Sequence, residues 1–233
     1  MIFFSKAELN IFKKLGVFRK IKFFLGTLKR MLINWTQCNI SFLKIIQETR
    51  HSNNPITFNM LIKKKILKNN RGVYWPIHPS SQVNYCQNII IGIDTSPGFA
   101  AGCYIQGIGE IYIGDYTGIA PNVGIISSNH SLLDFREYKH GVVKIGKYCW
   151  IGMGAVILPN VTLGDFTTVR PNSVVDKSFK KGYCVIGGNP AKIIKEFPEE
   201  SYHLFNRYEH DKKYNGFIPS HQFEEFRQKN LNV

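Results

Sequence analysis

One of the seven histidines in this chain is distinguished by its position in the sequence pattern. His130 follows Asn129 in residues 127–144, a segment that interrupts a regular repeat. An imidazole titrates near neutral pH, so it can accept a proton from an attacking group and release it later. No serine or cysteine with a suitably spaced base accompanies it. These residues therefore favour a general base over a covalent nucleophile.

A metal centre is not indicated by the histidines or the cysteines. The repeat region contributes only His78, His130 and His140, which lack the paired spacing of zinc ligands, so a zinc-dependent γ-type carbonic anhydrase is disfavoured. The five cysteines are odd in number, scattered and free of Cys-x-x-Cys spacing. We expect reduced thiols in a cytosolic compartment and no metal site.

The element that must position His130 is a repeat with a period of six residues. Apolar residues stand at strict intervals in one block: Ile145, Ile151, Ile157, Leu163, Val169 and Val175. A weaker form of the pattern occurs earlier, at Ile77, Val83 and Ile89 and again at Ile113, Ile119 and Ile125. A period of six fits neither a helix nor a flat alternating strand. It predicts a parallel β-helix of about 18 residues per triangular coil, with glycine in second place allowing the turn.

The positive charge of the chain is concentrated before this repeat. Residues 1–75 contain 15 Lys and Arg against two acids, a net charge of +13, whereas the remainder is nearly neutral. The spacing from Val17 to Trp35 predicts a basic amphipathic helix, which suits either a membrane surface or a packed protein face. Its apolar arc fits lipid or protein better than nucleic acid. No run near the start is long enough to span a bilayer.

These patterns predict three segments. Residues 1–74 form a basic, mainly helical N-terminal segment with possible peripheral contact to an anionic membrane. Residues 75–195 form the β-helix, and residues 196–233 form a short helical tail. We therefore expect a cytoplasmic protein that does not bind nucleic acid. The partner expected for its basic segment is either the inner face of the cell membrane or a protein surface.

Several motifs occur in an order that is known from one family. They read IAPNV at 119–123, SSNH at 127–130, WIG at 150–152, LPNVTLGD at 158–165 and GGNPAKIIK at 187–195. With them the chain resembles the hexapeptide-repeat acyltransferases over about residues 75–195. The maltose and galactoside O-acetyltransferases and the O-acetyltransferases of surface-polysaccharide synthesis are the nearest groups. The resemblance implies a mainly β fold, a left-handed parallel β-helix, and a homotrimer that binds acetyl-CoA between subunits.

The resemblance also assigns roles to individual residues. His130, with Asn129 beside it, matches the catalytic base, and Trp150 matches a side chain that lines the cofactor channel. The Met153 amide corresponds to a donor to the thioester oxygen. Other cofactor-binding positions are Lys177 and Lys192 near the phosphates and Gly188 in the turn that closes the pantetheine channel. Asp176 departs from the family pattern, and Arg170 is expected to bind the cofactor and compensate for this acid. Pro171 departs from the family pattern because it has no N–H to offer.

The acceptor is expected to be a carbohydrate. Candidate contacts are Gln106, Asp134, Arg136 and His140. The function predicted from the sequence is transfer of an acetyl group from acetyl-CoA to a sugar hydroxyl, in a surface polysaccharide or a lipid-linked glycan. An amino-sugar N-acetyltransferase and a non-catalytic β-helix scaffold remain alternatives, because the same base and cofactor serve an amine and a hexad alone does not require catalysis.

Overall fold

The computed structural model describes residues 45–50, 54–58, 60–61, 70, 72–205 and 214–233. The chain divides into two compact units, Met1–Gln47 and Glu48–Val233. In the first unit the described residues are helical. The predicted basic helix over Val17–Trp35 and the lysine-rich stretch at 63–68 lie outside the described residues, and the three-segment division stays a prediction.

The second unit consists mainly of short strands. In chain order the first nine are β1 Gln82–Asn84, β2 Ile89–Ile91, β3 Tyr104–Gln106, β4 Glu110–Ile113, β5 Gly118–Ile119, β6 Gly124–Ile126, β7 Ser128–His130, β8 Tyr138–His140 and β9 Val142–Ile145. The next nine are β10 Trp150–Ile151, β11 Val156–Ile157, β12 Thr162–Leu163, β13 Thr167–Val169, β14 Val174–Val175, β15 Cys184–Gly187, β16 Lys192–Glu196, β17 Tyr214–Asn215 and β18 Ile218–Pro219. An α-helix, α1, spans Ser220–Asn230, and 3-10 turns span Cys86–Asn88 and Glu199–Leu204.

Three parallel sheets form the faces of the predicted left-handed β-helix. Face 1 contains β1, β3, β6, β11 and β14 in that spatial order, and face 2 contains β2, β4, β9 and β12. Face 3 contains β5, β10, β13 and β15, with β16 added antiparallel at its end. The chain visits the faces in rotation, so each strand pairs with a strand one coil away. The predicted fold class is confirmed.

The hexad positions form the core. All six apolar residues of the regular block, from Ile145 to Val175, are at most 3% exposed. In this block, equivalent positions of neighbouring coils are 18 residues apart: Ile145 pairs with Leu163, and Ile151 pairs with Val169. One large apolar side chain per unit thus stacks on its equivalent in the next coil and is removed from water.

The glycines in second place of the repeat units do not make the turns, contrary to the expectation from the sequence. Left-handed backbone falls instead on the fourth residue of the first five units: Tyr148, Gly154, Asn160, Phe166 and Asn172. A Cβ on the second-place Gly146 would lie 2.6 Å from the Asp165 amide nitrogen and 2.7 Å from the Gly164 carbonyl carbon. Glycine is required there because the backbone of the next coil approaches so closely.

The aromatic tail covers both ends of the coil stack, as the exposed edges of a β-helix require. At the last coil, Tyr202 stacks on Tyr183 with ring centroids 3.6 Å apart. At the first coil, Phe226 of α1 packs against the buried Tyr74, with centroids 5.0 Å apart. The predicted helical tail therefore packs on its own chain.

The cysteines that the structure describes are free thiols. Cys86 is partly exposed, and Cys103, Cys149 and Cys184 are buried. Burial raises the pKa of Cys149 to about 12, so this thiol stays protonated inside the coil. Within the described ranges, no helix is long and apolar enough to cross a membrane.

Candidate active site

The regular coil is interrupted by a hairpin between face 1 and face 2. It consists of β7 and β8, which pair antiparallel with His130 opposite Tyr138 and Ser128 opposite His140. The first strand is fixed to the preceding coil through Gln106. The Gln106 side-chain Oε1 accepts a hydrogen bond of 3.1 Å from the Ser128 amide, and its carbonyl accepts one of 2.6 Å from Ser127 Oγ. Gln106, predicted to touch the acceptor, thus anchors the hairpin two residues before His130.

The tautomer of His130 is set by a backbone atom. Its Nδ1 lies 2.6 Å from the carbonyl oxygen of Phe135. A carbonyl can only accept, so Nδ1 must carry the proton, and in the neutral ring Nε2 is then left with a lone pair. Within the described part of the chain, Nε2 makes no hydrogen bond. This is the arrangement that a general base needs.

The His130 ring is also held from the opposite strand and faces a cleft. Its centroid lies 4.4 Å from that of Tyr138, with the planes tilted by 39°. The cleft has a volume of about 490 Å³ and is lined by Asn129, His130, Leu132, Lys139, Pro159 and Asn160. The coil corner at Pro159–Asn160 belongs to the regular repeat, so the cleft lies between the hairpin and the coil.

Asp134 and Arg136, at the tip of the hairpin, bind each other. The Arg136 guanidinium donates to both carboxylate oxygens, with Nε 2.9 Å from Oδ1 and a terminal nitrogen 2.6 Å from Oδ2. These hydrogen bonds lower the pKa of the Asp134 carboxyl. Their predicted contact with an acceptor stays a prediction. The three apolar tip residues Leu132, Leu133 and Phe135 are 86%, 97% and 72% exposed.

His140 lies at a different cleft from His130. It lines a space of about 290 Å³ together with Glu110 of face 2 and the C-terminal residues Asn232 and Val233. The residues that line the His130 cleft do not include His140. In the described chain, therefore, the two hairpin histidines do not share a site, and an acceptor role for His140 stays a prediction.

Four of the predicted cofactor residues follow one edge of the prism, between face 3 and face 1. Met153 follows β10, Arg170 follows β13 one coil later, and Gly188 follows β15 one coil after that. Lys192 pairs with Gly187 at the start of β16. The Arg170 side chain lies over Gly187. A Cβ added to Gly187 would be 3.0 Å from the Cβ of Arg170. Within the described residues the Met153 amide donates no hydrogen bond, so it is free to act as a donor.

Trp150 lies on the outer surface of face 3 and is 53% exposed. It pairs with Gly118 of β5, and a Cβ on Gly118 would be 2.7 Å from the indole ring. One edge of the indole therefore lies over a position that only glycine leaves open. A flat exposed aromatic next to an edge with two cations, Arg170 and Lys192, suits a long ligand that has an apolar arm and phosphates.

Lys177 is on another edge from these residues. It follows β14, between face 1 and face 2, and its ammonium group lies 5.8 Å from the centre of the Phe179 ring. The His130 hairpin leaves the coil at the same edge. One protomer therefore has His130, Asn129 and Lys177 on one side of face 1 and Met153, Arg170, Gly188 and Lys192 on the other. The six predicted cofactor residues do not line the His130 cleft.

Two residues that matter here were not singled out from the sequence. Phe135 contributes through its carbonyl, which any residue would provide, so no side-chain signal exists for it. Gly118 is the other, and its signal was available, because it stands one place before Ile119 in the hexad and opposite Trp150. Among the described residues, no group of three or more His, Cys, Asp or Glu is arranged to hold a metal ion.

Comparison with known proteins finds similarity to the family that the motifs resemble. A family model described as bacterial transferase hexapeptide (six repeats) matches residues 143–177. A protein of Dictyostelium discoideum, named as an acetyltransferase whose activity is unestablished, is 41% identical over 130 residues, which is 54% of this chain and 66% of that protein. The chain spans 60% to 66% of the length of this and two further curated relatives.

Two solved structures share the fold at recognisable sequence identity. A maltose O-acetyltransferase from Clostridium difficile is 29% identical with a TM-score of 0.52, covering 67% of this chain and 88% of that one. A galactoside acetyltransferase in complex with coenzyme A is 26% identical with a TM-score of 0.52, covering 71% and 84%. The predicted resemblance to the hexapeptide-repeat acetyltransferases is confirmed.

Proposed function

We propose that this chain, a relative of the hexapeptide-repeat acetyltransferases, is an acetyl-CoA-dependent O-acetyltransferase that acts on a sugar hydroxyl. The observation that carries the proposal is the tautomer of His130. Its Nδ1 proton is committed to the Phe135 carbonyl, 2.6 Å away, which leaves Nε2 as a base in a cleft large enough for a sugar.

In the proposed reaction the acceptor attacks the thioester directly. Nε2 of His130 removes the hydroxyl proton as the oxygen attacks the acetyl carbonyl carbon. The negative charge that forms on the thioester oxygen is stabilised by a backbone donor, for which the unpaired Met153 amide is the candidate. When the C–S bond breaks, the imidazolium returns its proton to the CoA thiolate. The acceptor gains one acetyl group, and His130 ends as it began.

Acetyl-CoA fits the edge between face 3 and face 1. Arg170 and Lys192 are exposed cations that can meet phosphates, and Trp150 offers an apolar surface. Gly188, with a left-handed φ of 104°, makes the turn between β15 and β16. The galactoside acetyltransferase that shares this fold was solved with coenzyme A. These residues would hold the co-substrate, which supplies the acetyl group.

A homotrimer would bring the two edges together. In one protomer, face 1 separates His130 from Met153, Arg170 and Gly188, so a single copy does not assemble the site. If three prisms pack side by side, the His130 edge of one can face the Met153 edge of its neighbour. The exposed tip residues Leu132, Leu133 and Phe135 would be covered in the same seam, which removes their apolar surface from water.

A narrower version of the proposal places the acceptor at the inner face of the cell membrane. Its support is the +13 net charge of residues 1–75 and the apolar arc predicted from Val17 to Trp35. Each basic side chain near an anionic leaflet contributes about 1 kcal/mol, so several together suffice for peripheral attachment. A lipid-linked glycan would then be the acceptor. If deletion of residues 1–70 left binding to anionic vesicles unchanged, this membrane part would be wrong.

The test is acetyl transfer itself. The full chain is incubated with acetyl-CoA and a panel of matched sugars that differ only in bearing a hydroxyl or an amine, and release of the CoA thiol is followed. We expect turnover with hydroxyl acceptors. Preference for the amines would make the chain an amino-sugar N-acetyltransferase, and no release with any acceptor would favour a scaffold.

A further inference from the structure

The hairpin tip contains an ion pair that spans the residue on which His130 depends. Asp134 and Arg136 flank Phe135, and their side chains meet through both carboxylate oxygens. The Phe135 carbonyl between them is the acceptor for His130 Nδ1. The pair therefore closes a small ring around the one backbone group that sets the histidine tautomer.

Backbone hydrogen bonds make the same turn tight. The Arg136 amide donates to Asp134 Oδ1 at 2.9 Å, and the Glu137 amide donates to the Asp134 carbonyl at 3.0 Å. The Ser131 amide donates to the Glu137 carbonyl at 2.8 Å, which returns the chain to the strand that carries His130. Asp134 thus uses its side chain twice, once on the backbone and once on the guanidinium, as aspartates do in turns.

The Asp134–Arg136 ion pair has a bidentate geometry, which is stronger than a single contact between two charges. Exposed ion pairs usually contribute little, and Arg136 is 90% exposed. A bidentate contact between a planar guanidinium and a carboxylate is the exception, because both partners are fixed in one orientation. Only a small free-energy difference is needed to favour one conformation of a single turn, and a bidentate ion pair can contribute it.

We propose that Asp134 and Arg136 are positioning residues that hold the Phe135 carbonyl on Nδ1 of His130 and so keep Nε2 unprotonated for catalysis. This inference rests on the proposed function of His130. Without the pair, the turn is free to move its carbonyl away, and the imidazole can rotate or place its proton on Nε2. A ring protonated on Nε2 cannot take a proton from the acceptor at that atom, so kcat falls while binding is unaffected.

Kinetics with a matched control test the proposal. The variants are Asp134→Ala, Asp134→Asn and Arg136→Ala, and Glu137→Gln removes a neighbouring charge for which the described residues provide no ion pair. We expect both alanine variants to lower kcat about tenfold with KM for both substrates within about twofold. Asp134→Asn keeps the backbone acceptor, so its kcat should lie between those of Asp134→Ala and the parent, and Glu137→Gln should match the parent.

A spectroscopic readout separates this inference from the proposed function. Long-range ¹H–¹⁵N spectra of the substrate-free protein report which ring nitrogen carries the proton, and the His130 signals are assigned by their loss in His130→Gln. We expect an Nδ1-protonated ring in the parent and in Glu137→Gln, and a mixture of tautomers in Asp134→Ala and Arg136→Ala. This result does not depend on acetyl transfer.

Two results would overturn the inference. One is an unchanged His130 tautomer in both alanine variants. The other is a raised KM for the acceptor at constant kcat, which would make Asp134 and Arg136 direct acceptor contacts. If the parent transfers no acetyl group at all, the proposed function fails, and the tautomer measurement still decides whether the pair positions the ring.

Discussion

The coil block from Ile145 to Val175 is stabilised by buried apolar side chains, whereas the hairpin from Ser128 to His140 is largely exposed. In the block, the apolar side chain of each unit is at most 3% exposed and stacks on its equivalent in the next coil. In the hairpin, Leu133 is 97% exposed, and the structure is held by hydrogen bonds, the Asp134–Arg136 ion pair and the packing of His130 on Tyr138. The block supplies a rigid frame, and the hairpin attached to it carries the chemistry. Stability and activity should therefore be separable by mutation.

The largest expected difference is in stability. Ile157→Ala leaves a cavity in a fully buried position and should lower the free energy of unfolding by about 3–4 kcal/mol. Glu137→Ala, at an exposed position of the hairpin, should change the unfolding free energy by less than about 0.5 kcal/mol. Urea denaturation of both variants measures the difference. Equal losses would mean that the hairpin tip is part of the folded core.

A second prediction concerns the contact between coils. Gly146→Ala places a Cβ 2.6 Å from the Asp165 amide nitrogen, so the next coil must shift, at a cost of about 2 kcal/mol. Gly124→Ala is the matched control, since its Cβ would meet the Val156 side chain at 3.6 Å, an ordinary contact. Thermal unfolding should show a lower Tm for Gly146→Ala alone. The same Tm for both variants would remove close coil approach as the reason for second-place glycine.

The third prediction exchanges the hairpin tip while keeping its strands. Residues 131–137 are replaced by Asn-Gly, the preferred two-residue turn, so that His130 still pairs with Tyr138. The Phe135 carbonyl is lost, and we expect kcat to fall at least about tenfold, with a smaller loss of unfolding free energy than in Ile157→Ala. Acetyl-CoA turnover and urea denaturation are measured on the same preparation. Retained kcat would show that the tip does not set the state of His130.

The smallest effect is a local dependence on pH. Hydrogen bonds from Arg136 lower the pKa of Asp134 in the folded hairpin. The pair therefore stabilises the tip at pH above the pKa of the unfolded chain, and this stabilisation is lost as pH falls through the lower folded value. Carbon NMR of the Asp134 carboxyl should give a midpoint below that of the same residue in a short unstructured peptide. Equal midpoints would mean that the pair does not form in solution.

The sequence predicted the fold well in the part of the repeat where one buried apolar side chain recurs in every unit. Ile145, Ile151 and Ile157 could be assigned to the core from their spacing alone, because every coil there has 18 residues. Between residues 91 and 111 the spacing fails, since equivalent positions are 22 residues apart, as in the bond from the Ile93 amide to Asp115. Buried polar side chains such as Thr95, which donates to the Gly114 carbonyl, replace apolar ones there.

The site was predictable only in part, for a related reason. His130 could be found because it lies where a rigid repeat is interrupted and matches a family motif. Its partner is a backbone carbonyl, and backbone groups are the same at every position. Asp134 and Arg136 were noticed for their charge, but their mutual contact depends on the turn around Phe135, which the residue types alone do not specify.

The most direct test of the account is the turnover number of His130→Ala, with His78→Ala as the control. His78 is exposed and hydrogen-bonded to the Ser80 hydroxyl, outside the proposed site. We predict that His130→Ala lowers kcat for acetyl transfer to the best sugar by at least about 10²-fold, with an unchanged Tm, and that His78→Ala behaves as the parent. Turnover of His130→Ala within a few-fold of the parent would contradict the central claim that this imidazole is the base.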